Sequence, residues 1–130
     1  MEVNKRRDSF GADWIGVDFD GTLVHNKSGA SHGLPHTCQP VPVMVMRVKK
    51  WLADGRIVKI FTARAAHFHD PDAKAAILPS FNAWCLEHIG QILEVTNIKT
   101  PSMVELWDDR AVGVERNTGM PKIENHSLFD

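Results

Sequence analysis

The chain has 130 residues and a formal net charge of -1 at pH 7, and 43% of its residues are hydrophobic and 24% charged. These values indicate one soluble globular domain with a single core, and they give no global basic field that would attract nucleic acid or an anionic membrane. No apolar run approaches the roughly 18 residues that a membrane span needs. The two cysteines, Cys38 and Cys85, form neither a Cys-x-x-Cys pair nor a disulfide framework, so we expect a reducing, cytoplasmic location.

The first forty residues predict a lead-in, a strand and a long loop. Residues 1–12 are polar and mixed in charge, which indicates a loose segment before a core domain over residues 13–115. The apolar run from Trp14 to Phe19 predicts a buried first strand. Residues 22–40 are rich in Gly, Ser, His and Pro without a sustained period, so we expect a loop at the rim of a site, with room for a small hairpin.

Two later segments predict helices. In residues 41–53, apolar side chains recur at helical spacing, with Pro42 in the first turn and Gly55 at the end. A second helical region runs from Asp70 to about His88, and Pro79 predicts a break within it.

Strands alternate with these helices. Residues 56–61, 92–96 and 105–107 predict the second, third and fourth strands, and residues 101–104 predict a short connection or a helical turn. Residues 111–114 could form a fifth strand before a polar tail over 116–130. Such alternation implies right-handed crossovers and a mostly parallel central sheet. The predicted fold class is therefore α/β, a Rossmann-like three-layer sandwich with helices on both faces of the sheet.

The first predicted strand ends in two acids. Asp18 and Asp20 are two residues apart on extended chain, so their side chains point the same way, and Gly21 permits a sharp turn just after them. Open α/β sheets place their ligands at this carboxyl end. Crowded carboxylates repel each other, and a bound divalent cation relieves that repulsion. An Asp held beside a metal can also attack phosphorus. The alternative interpretation of the same residues is a strand followed by a polar turn without a chemical role.

Other reactive side chains follow the remaining predicted strands, so the parallel sheet would gather them all at one edge. Their coincidence at strand ends is harder to obtain by chance than any single motif. The set comprises Asp18, Asp20, Thr62, Arg64, Lys99, Asp108 and Asp109.

Four of these stretches, in order, resemble the haloacid dehalogenase (HAD) superfamily of phosphohydrolases. The segment Asp18-Phe19-Asp20-Gly21-Thr22 looks like the first motif of the family, and Ile60-Phe61-Thr62 looks like the second, a hydrophobic strand that ends in Thr or Ser. Lys99 looks like the lysine of the third motif, and Trp107-Asp108-Asp109 looks like the acidic fourth motif. The similarity spans residues 14–114.

The resemblance implies a role for each acid. Asp18 would be the nucleophile that takes the phosphoryl group, and Asp20 would protonate the leaving oxygen and then deprotonate the hydrolytic water. Mg²⁺ would be held by the carboxylate of Asp18, the main-chain carbonyl of Asp20 and Asp108, with Asp109 assisting directly or through water. This agrees with the general needs of phosphoryl transfer, which are positioning and neutralisation of negative charge.

The resemblance also implies phosphate contacts. Thr62 and Lys99 would hold the phosphoryl oxygens, and Gly21 belongs to the same phosphate-binding region. Arg64 could be a second phosphate or substrate contact or merely a surface ion pair. Thr62 could instead cap a turn, and Lys99 could simply be solvated.

The intervals between the motifs leave no room for the cap domain that many family members carry, so the resemblance implies a capless core with an open site. We expect a phosphate monoester as substrate, either a macromolecular end or a small molecule that a partner subunit encloses, in a monomer or a homo-oligomer. A 3'-phosphatase for nucleic-acid ends and a non-hydrolytic phospho-acceptor resembling a receiver domain are the alternatives. The histidines at 25, 32, 36, 67 and 69, together with Cys38, could form a zinc site, but their spacing matches no strong zinc template. We expect them to be polar rim residues, some of which could contact substrate.

Overall fold

The computed structural model describes residues 7–8, 11–26 and 33–122. They form six strands and two helices. In chain order these are β1 (Arg7–Asp8), β2 (Gly11–Ala12), β3 (Trp14–Val17), α1 (Pro42–Ala53), β4 (Ile57–Phe61), α2 (Pro71–His88), β5 (Val95–Thr96) and β6 (Met103–Trp107). No helix in these ranges is long and apolar enough to cross a membrane.

Four strands form one parallel sheet with the order β5-β4-β3-β6. The predicted α/β class and the mostly parallel sheet are therefore confirmed. β3, the earliest of these strands in the sequence, lies inside the sheet with β4 on one side and β6 on the other. The carboxyl ends of β4, β3 and β6 consequently meet at one edge, and this edge is where the acids follow their strands.

Both helices contribute to one hydrophobic core. α1 supplies Met44, Val45 and Val48, and α2 supplies Phe81, Trp84 and Cys85. All six belong to the same buried cluster as the β3 side chains Ile15 and Val17. Each fully buried side chain of this kind contributes about 1.5–3 kcal/mol of hydrophobic stabilisation.

The prediction of a three-layer sandwich is not confirmed. The two helical crossovers, from β3 to β4 and from β4 to β5, step in the same direction across the sheet. Right-handed crossovers in one direction place their helices on one face. The return from β5 to β6 uses only residues 97–102, which contain no helix.

The opposite side of β3 carries Trp14, which is buried. The Trp14 Nε1 donates a hydrogen bond to Thr100 Oγ1 at 3.0 Å, and the Lys59 Nζ lies 4.6 Å from the centroid of the indole ring. The segment between β5 and β6 is therefore fixed against Trp14.

Two element predictions are wrong. α2 runs without interruption through Pro79, because flanking side chains such as Phe81 are buried in the core and hold the helix although Pro79 cannot donate a backbone hydrogen bond. Residues 111–114 do not add a fifth strand to the sheet. Val114 instead forms a local antiparallel bridge with Pro121, and the Lys122 N–H donates to the Gly113 carbonyl.

The predicted lead-in and loop are more ordered than their composition suggests. β1 and β2 pair in an antiparallel arrangement within residues 7–12. In the predicted loop, Val24 pairs with Pro40, and Pro35–Thr37 forms a 3-10 turn. The stretches 1–6, 9–10, 27–32 and 123–130, which include parts of the predicted lead-in, loop and tail, lie outside the described residues.

Candidate functional site

Three acids meet where β3 and β6 end. The pairing of the two strands continues beyond their last residues, since the Asp18 N–H donates to the Trp107 carbonyl at 2.8 Å. This places Asp108 and Asp109 beside Asp18, and each of the three residues has one carboxylate oxygen within 4.8 Å of the others. We call these three residues the acid triad. The parallel pairing of β3 with β6 thus brings together side chains about ninety positions apart in the chain.

Burial and the neighbouring acids of the triad raise the pKa of Asp18. Its pKa is raised from 3.8 to about 7, chiefly by burial, then by the negative charge of Asp108 and by a hydrogen bond with Asp109. The backbone N–H of Phe19 opposes this shift by donating to Asp18. A cation among the three carboxylates would compensate for this repulsion. The oxygen donor set therefore fits a hard divalent ion such as Mg²⁺.

The turn after β3 fixes Asp109. Gly21 has φ +87°, and a β-carbon there would lie 2.8 Å from Asp109 Cγ. Thr22 Oγ1 accepts a hydrogen bond from the Asp109 N–H at 3.1 Å. The turn itself is tight, because the N–H groups of residues 22, 23 and 24 all lie within 3.2 Å of the Phe19 carbonyl oxygen. The role of Thr22 was not predicted, although it belongs to the first motif.

Asp108 both closes a turn and belongs to the acid triad. Its Oδ1 accepts a hydrogen bond from the Arg110 N–H at 2.7 Å, which closes a turn. The same side chain is also a member of the acid triad.

Asp20 points to a different partner. Its two carboxylate oxygens accept hydrogen bonds from Arg64 Nε and Nη2, both at 2.7 Å. The side chains of Arg64 and Asp20 are only 9% and 15% exposed. This is a bidentate ion pair inside the site, and its hydrogen bonds and charge raise the pKa of Arg64 above its ordinary value. Sequence reasoning placed both residues at this edge but did not pair them.

Arg64 has further contacts on other parts of the chain. Its Nη1 donates to the Gly33 carbonyl at 2.7 Å, and its Nη2 lies 3.9 Å from Cys38 Sγ. The guanidinium carbon lies 5.6 Å from the centroid of the Phe19 ring. Phe19, which separates the two acids of the first motif in the sequence, is itself fully buried. The guanidinium therefore connects the end of β4 to the turn after β3 and to the segment around Gly33–Cys38.

Thr62 lies at the carboxyl end of β4 and is 3% exposed. Its Oγ1 accepts a hydrogen bond from the Arg64 N–H at 3.1 Å, so the residue does cap the turn that follows β4. Its own N–H donates to the Thr96 carbonyl. A hydroxyl that accepts one bond still carries a proton that it can donate.

Within the described residues, Lys99 makes no hydrogen bond or ion pair with the acid triad. It is exposed and lies in the segment between β5 and β6, next to the Thr100 that binds Trp14. Within the described ranges, no ion pair joins its ammonium group to a carboxylate.

The described histidines do not form a metal cluster. His36 interacts with Ser80, with Nδ1 and Oγ 2.6 Å apart, and the rings of His67 and His69 have centroids 6.1 Å apart. Among residues 11–26 and 33–122, the acid triad is the only group of three or more His, Cys, Asp or Glu residues whose ligand atoms lie close enough to share an ion. His32 lies outside those ranges.

Comparisons with known proteins add no family assignment. No protein-family model, curated protein or solved structure matches this chain.

Proposed function

We propose that the protein is a Mg²⁺-dependent phosphohydrolase of the HAD type, which cleaves a phosphate monoester through an aspartyl-phosphate on Asp18. One observation carries this proposal: Asp18 lies in the acid triad with Asp108 and Asp109, while the second acid of the same motif, Asp20, is held separately by Arg64. Two acids with different surroundings can take different chemical roles.

The acid triad would hold the metal. The carboxylates of Asp18, Asp108 and Asp109 are the proposed ligands, together with the main-chain carbonyl of Asp20. When bound, Mg²⁺ would supply positive charge that neutralises the phosphoryl oxygens and favours the ionised form of Asp18. The raised pKa of Asp18 supports this, because its second cause is the charge of Asp108.

Asp18 would act as the nucleophile. One of its carboxylate oxygens attacks the phosphorus, a new bond forms between that oxygen and phosphorus, and the bond from phosphorus to the leaving oxygen breaks. The half-buried position of Asp18 at the end of β3 supports this role, because its backbone is fixed by the bond to the Trp107 carbonyl.

Asp20 would move the proton. It gives a proton to the leaving oxygen in the first step and takes one from water in the second. That water attacks phosphorus, the bond to Asp18 breaks, and inorganic phosphate leaves with Asp18 restored as a carboxylate. The separation of Asp20 from the acid triad supports this division of labour.

Thr62 and Lys99 are the proposed contacts to the phosphoryl oxygens, with the Gly21 turn beside them. Thr62 can donate its hydroxyl proton, and Lys99 is exposed on a segment that follows a neighbouring strand. Arg64 is already engaged with Asp20 in an ion pair that is mostly buried and not on the surface, so it is not among the proposed phosphate contacts.

The finer fold assignment is part of the same proposal. We infer a capless, Rossmann-like core of the HAD type that works in the cytoplasm. The parallel sheet with the nucleophile strand β3 at its interior supports this inference. A 3'-phosphatase for nucleic-acid ends is the narrower version, and a steep fall in activity with salt on a phosphorylated oligonucleotide would distinguish it from hydrolysis of a small molecule.

Trapping the phosphorylated protein tests the proposal. The protein is mixed with acetyl phosphate and Mg²⁺, quenched in acid and mapped by mass spectrometry. We expect phosphate on Asp18, with rapid loss in the wild type and slow loss in Asp20→Asn. A phospho-form that persists in the wild type would instead identify a receiver-like acceptor, and phosphate on another residue would contradict the proposed nucleophile.

A further inference from the structure

We infer that Arg64 is a positioning residue for Asp20, because its guanidinium fixes the carboxylate for proton transfer and ties it to the segment Gly33–Cys38. This inference rests on the proposed function, which gives Asp20 its role. It assigns Arg64 to proton transfer and not to phosphate binding.

The contact between the two side chains controls orientation as well as charge. Arg64 Nε and Nη2 meet the two Asp20 oxygens at the same distance of 2.7 Å. Such a pair of parallel hydrogen bonds, a fork, aligns the planes of the guanidinium and the carboxylate. The ammonium group of a lysine acts as a point charge and cannot impose this alignment. A general acid is effective only if its proton lies within hydrogen-bond reach of the leaving oxygen. Because both Asp20 oxygens accept from Arg64, the transferred proton has to lie on the side of an oxygen that faces away from Arg64, and the pair thereby fixes its direction.

The guanidinium is itself fixed from several directions. Nη1 is held by the Gly33 carbonyl at 2.7 Å, and the Phe19 ring lies against the guanidinium at 5.6 Å. The backbone N–H of Arg64 is held by Thr62 Oγ1. With both its backbone and its head group anchored, Arg64 loses little further freedom when it holds Asp20.

The segment Gly33–Cys38 has its own anchors. The Cys38 carbonyl accepts a hydrogen bond from Trp84 Nε1 at 3.1 Å, and the His36 N–H donates to Ser80 Oγ at 2.8 Å. Both partners belong to α2. Arg64 therefore connects Asp20 to a frame that is fixed on the helix, and not to an isolated loop.

Phosphate binding is the competing role for Arg64. The Arg64 side chain is only 9% exposed, and its Nε and Nη2 both donate to Asp20. To present these two donors to a phosphate, the guanidinium would have to release Asp20. Release would break a charge-assisted pair and leave the acid without its orienting partner.

A series of aryl and alkyl phosphates with increasingly poor leaving groups tests the inference. The measured quantity is the slope of log kcat/KM against the pKa of the leaving group. Loss of acid assistance penalises poor leaving groups most, so it steepens the slope, whereas loss of a phosphate contact lowers all substrates equally. The variants are Arg64→Gln and Arg64→Lys. The matched control is Arg56→Gln, which removes an arginine just before β4, at the end of the sheet away from the acid triad.

We expect Arg64→Gln to steepen the slope, with a loss of about 10- to 100-fold for the poorest leaving group, as general acids contribute about 10²–10⁴-fold. Arg64→Lys retains the charge without the fork and should steepen it as well, which keeps the test available if Arg64→Gln does not fold. Arg56→Gln should leave the slope unchanged. An equal loss across the series, no loss at all, or a wild-type slope in Arg64→Lys would overturn the inference.

The proposed function can fail separately. If the wild type hydrolysed no member of the series and no phosphate could be trapped on Asp18, the proposed function would be rejected, and the pairing would be judged by unfolding of Asp20→Asn, Arg64→Gln and the double variant. A loss of stability in the double variant that differs from the sum of the two single losses would support the pairing of Arg64 with Asp20. A loss equal to that sum would overturn the inference that Arg64 fixes Asp20.

Discussion

Gly21 and Asp109 are in direct contact across the turns that follow β3 and β6. A β-carbon on Gly21 would lie 2.8 Å from Asp109 Cγ and still closer to Oδ2, and the backbone of Gly21 has φ +87°. The backbone turn at Gly21, within the first motif, therefore adjoins the last acid of the acid triad. Any side chain at position 21 would disturb the triad as well as the turn.

Gly21→Ala should cost more stability than the same change at a glycine with free space. Gly55 is the matched control, since its φ is +84° and a β-carbon there would have no heavy atom within 4 Å beyond its chain neighbours. Gly55→Ala carries only the backbone strain, which costs about 1 kcal/mol. Gly21→Ala adds the overlap with the carboxylate end of Asp109, an exposed side chain that has to turn aside, and should cost up to about 1 kcal/mol more than Gly55→Ala in denaturant unfolding. Equal losses in the two variants would contradict the contact.

Thr22→Val should loosen Asp109 without filling the site. It removes the Oγ1 that accepts the Asp109 N–H, and a hydrogen bond of this kind contributes about 0.5–1.5 kcal/mol. We expect a stability loss of that size in thermal unfolding and weaker Mg²⁺ binding by calorimetry. Thr22→Ser keeps the oxygen and should behave as the wild type. Identical Mg²⁺ affinity in Thr22→Val and Thr22→Ser would show that the hydroxyl does not position the acid triad.

The stability of the metal-free protein should fall as the pH rises from about 4 to about 7. The folded-state pKa of Asp18 is raised from 3.8 to about 7, so over this range the folded state holds a proton that the unfolded state has lost. The contribution of Asp18 is thus greatest below pH 4, decreases up to pH 7 and is constant above it. Urea unfolding across this range measures the effect as the difference between the wild type and Asp18→Asn.

Saturating Mg²⁺ should remove this pH dependence near neutrality, because the cation replaces the proton among the three carboxylates. Asp108→Asn should also reduce it, since the charge of Asp108 is the second cause of the shift after burial. Parallel stability curves for the wild type and Asp18→Asn without metal would mean that Asp18 does not titrate in this range.

The acid triad shows what the sequence could predict. Asp18 and Asp108 could be placed together because parallel strands share a carboxyl edge, and a period-two pattern is enough to find the strand ends. The partner of Asp20 could not be predicted in this way. Its pairing with Arg64 depends on the Gly33 carbonyl and the Phe19 ring, which are positioned only by the folded chain.

The layers of the fold and the course of α2 were harder to predict for different reasons. Alternation of strands and helices does not specify the strand order, and here the order β5-β4-β3-β6 directs both helical crossovers the same way. Pro79 is unfavourable within a helix by its local chemistry, but burial of Trp84 and its neighbours outweighs that local cost. In both cases the local sequence pattern allows more than one structure, and tertiary packing determines which one forms.

Hydrolysis of a generic aryl phosphate, with and without Mg²⁺ and beside Asp18→Asn, tests the central claim most directly. Asp18→Asn keeps the size of the side chain while removing the nucleophile and one carboxylate of the acid triad. We predict hydrolysis that requires Mg²⁺ and that falls by at least about 10³-fold in the folded variant, as expected for loss of a nucleophile. Hydrolysis at the wild-type rate by Asp18→Asn would contradict the proposed nucleophile and the mechanism that depends on it.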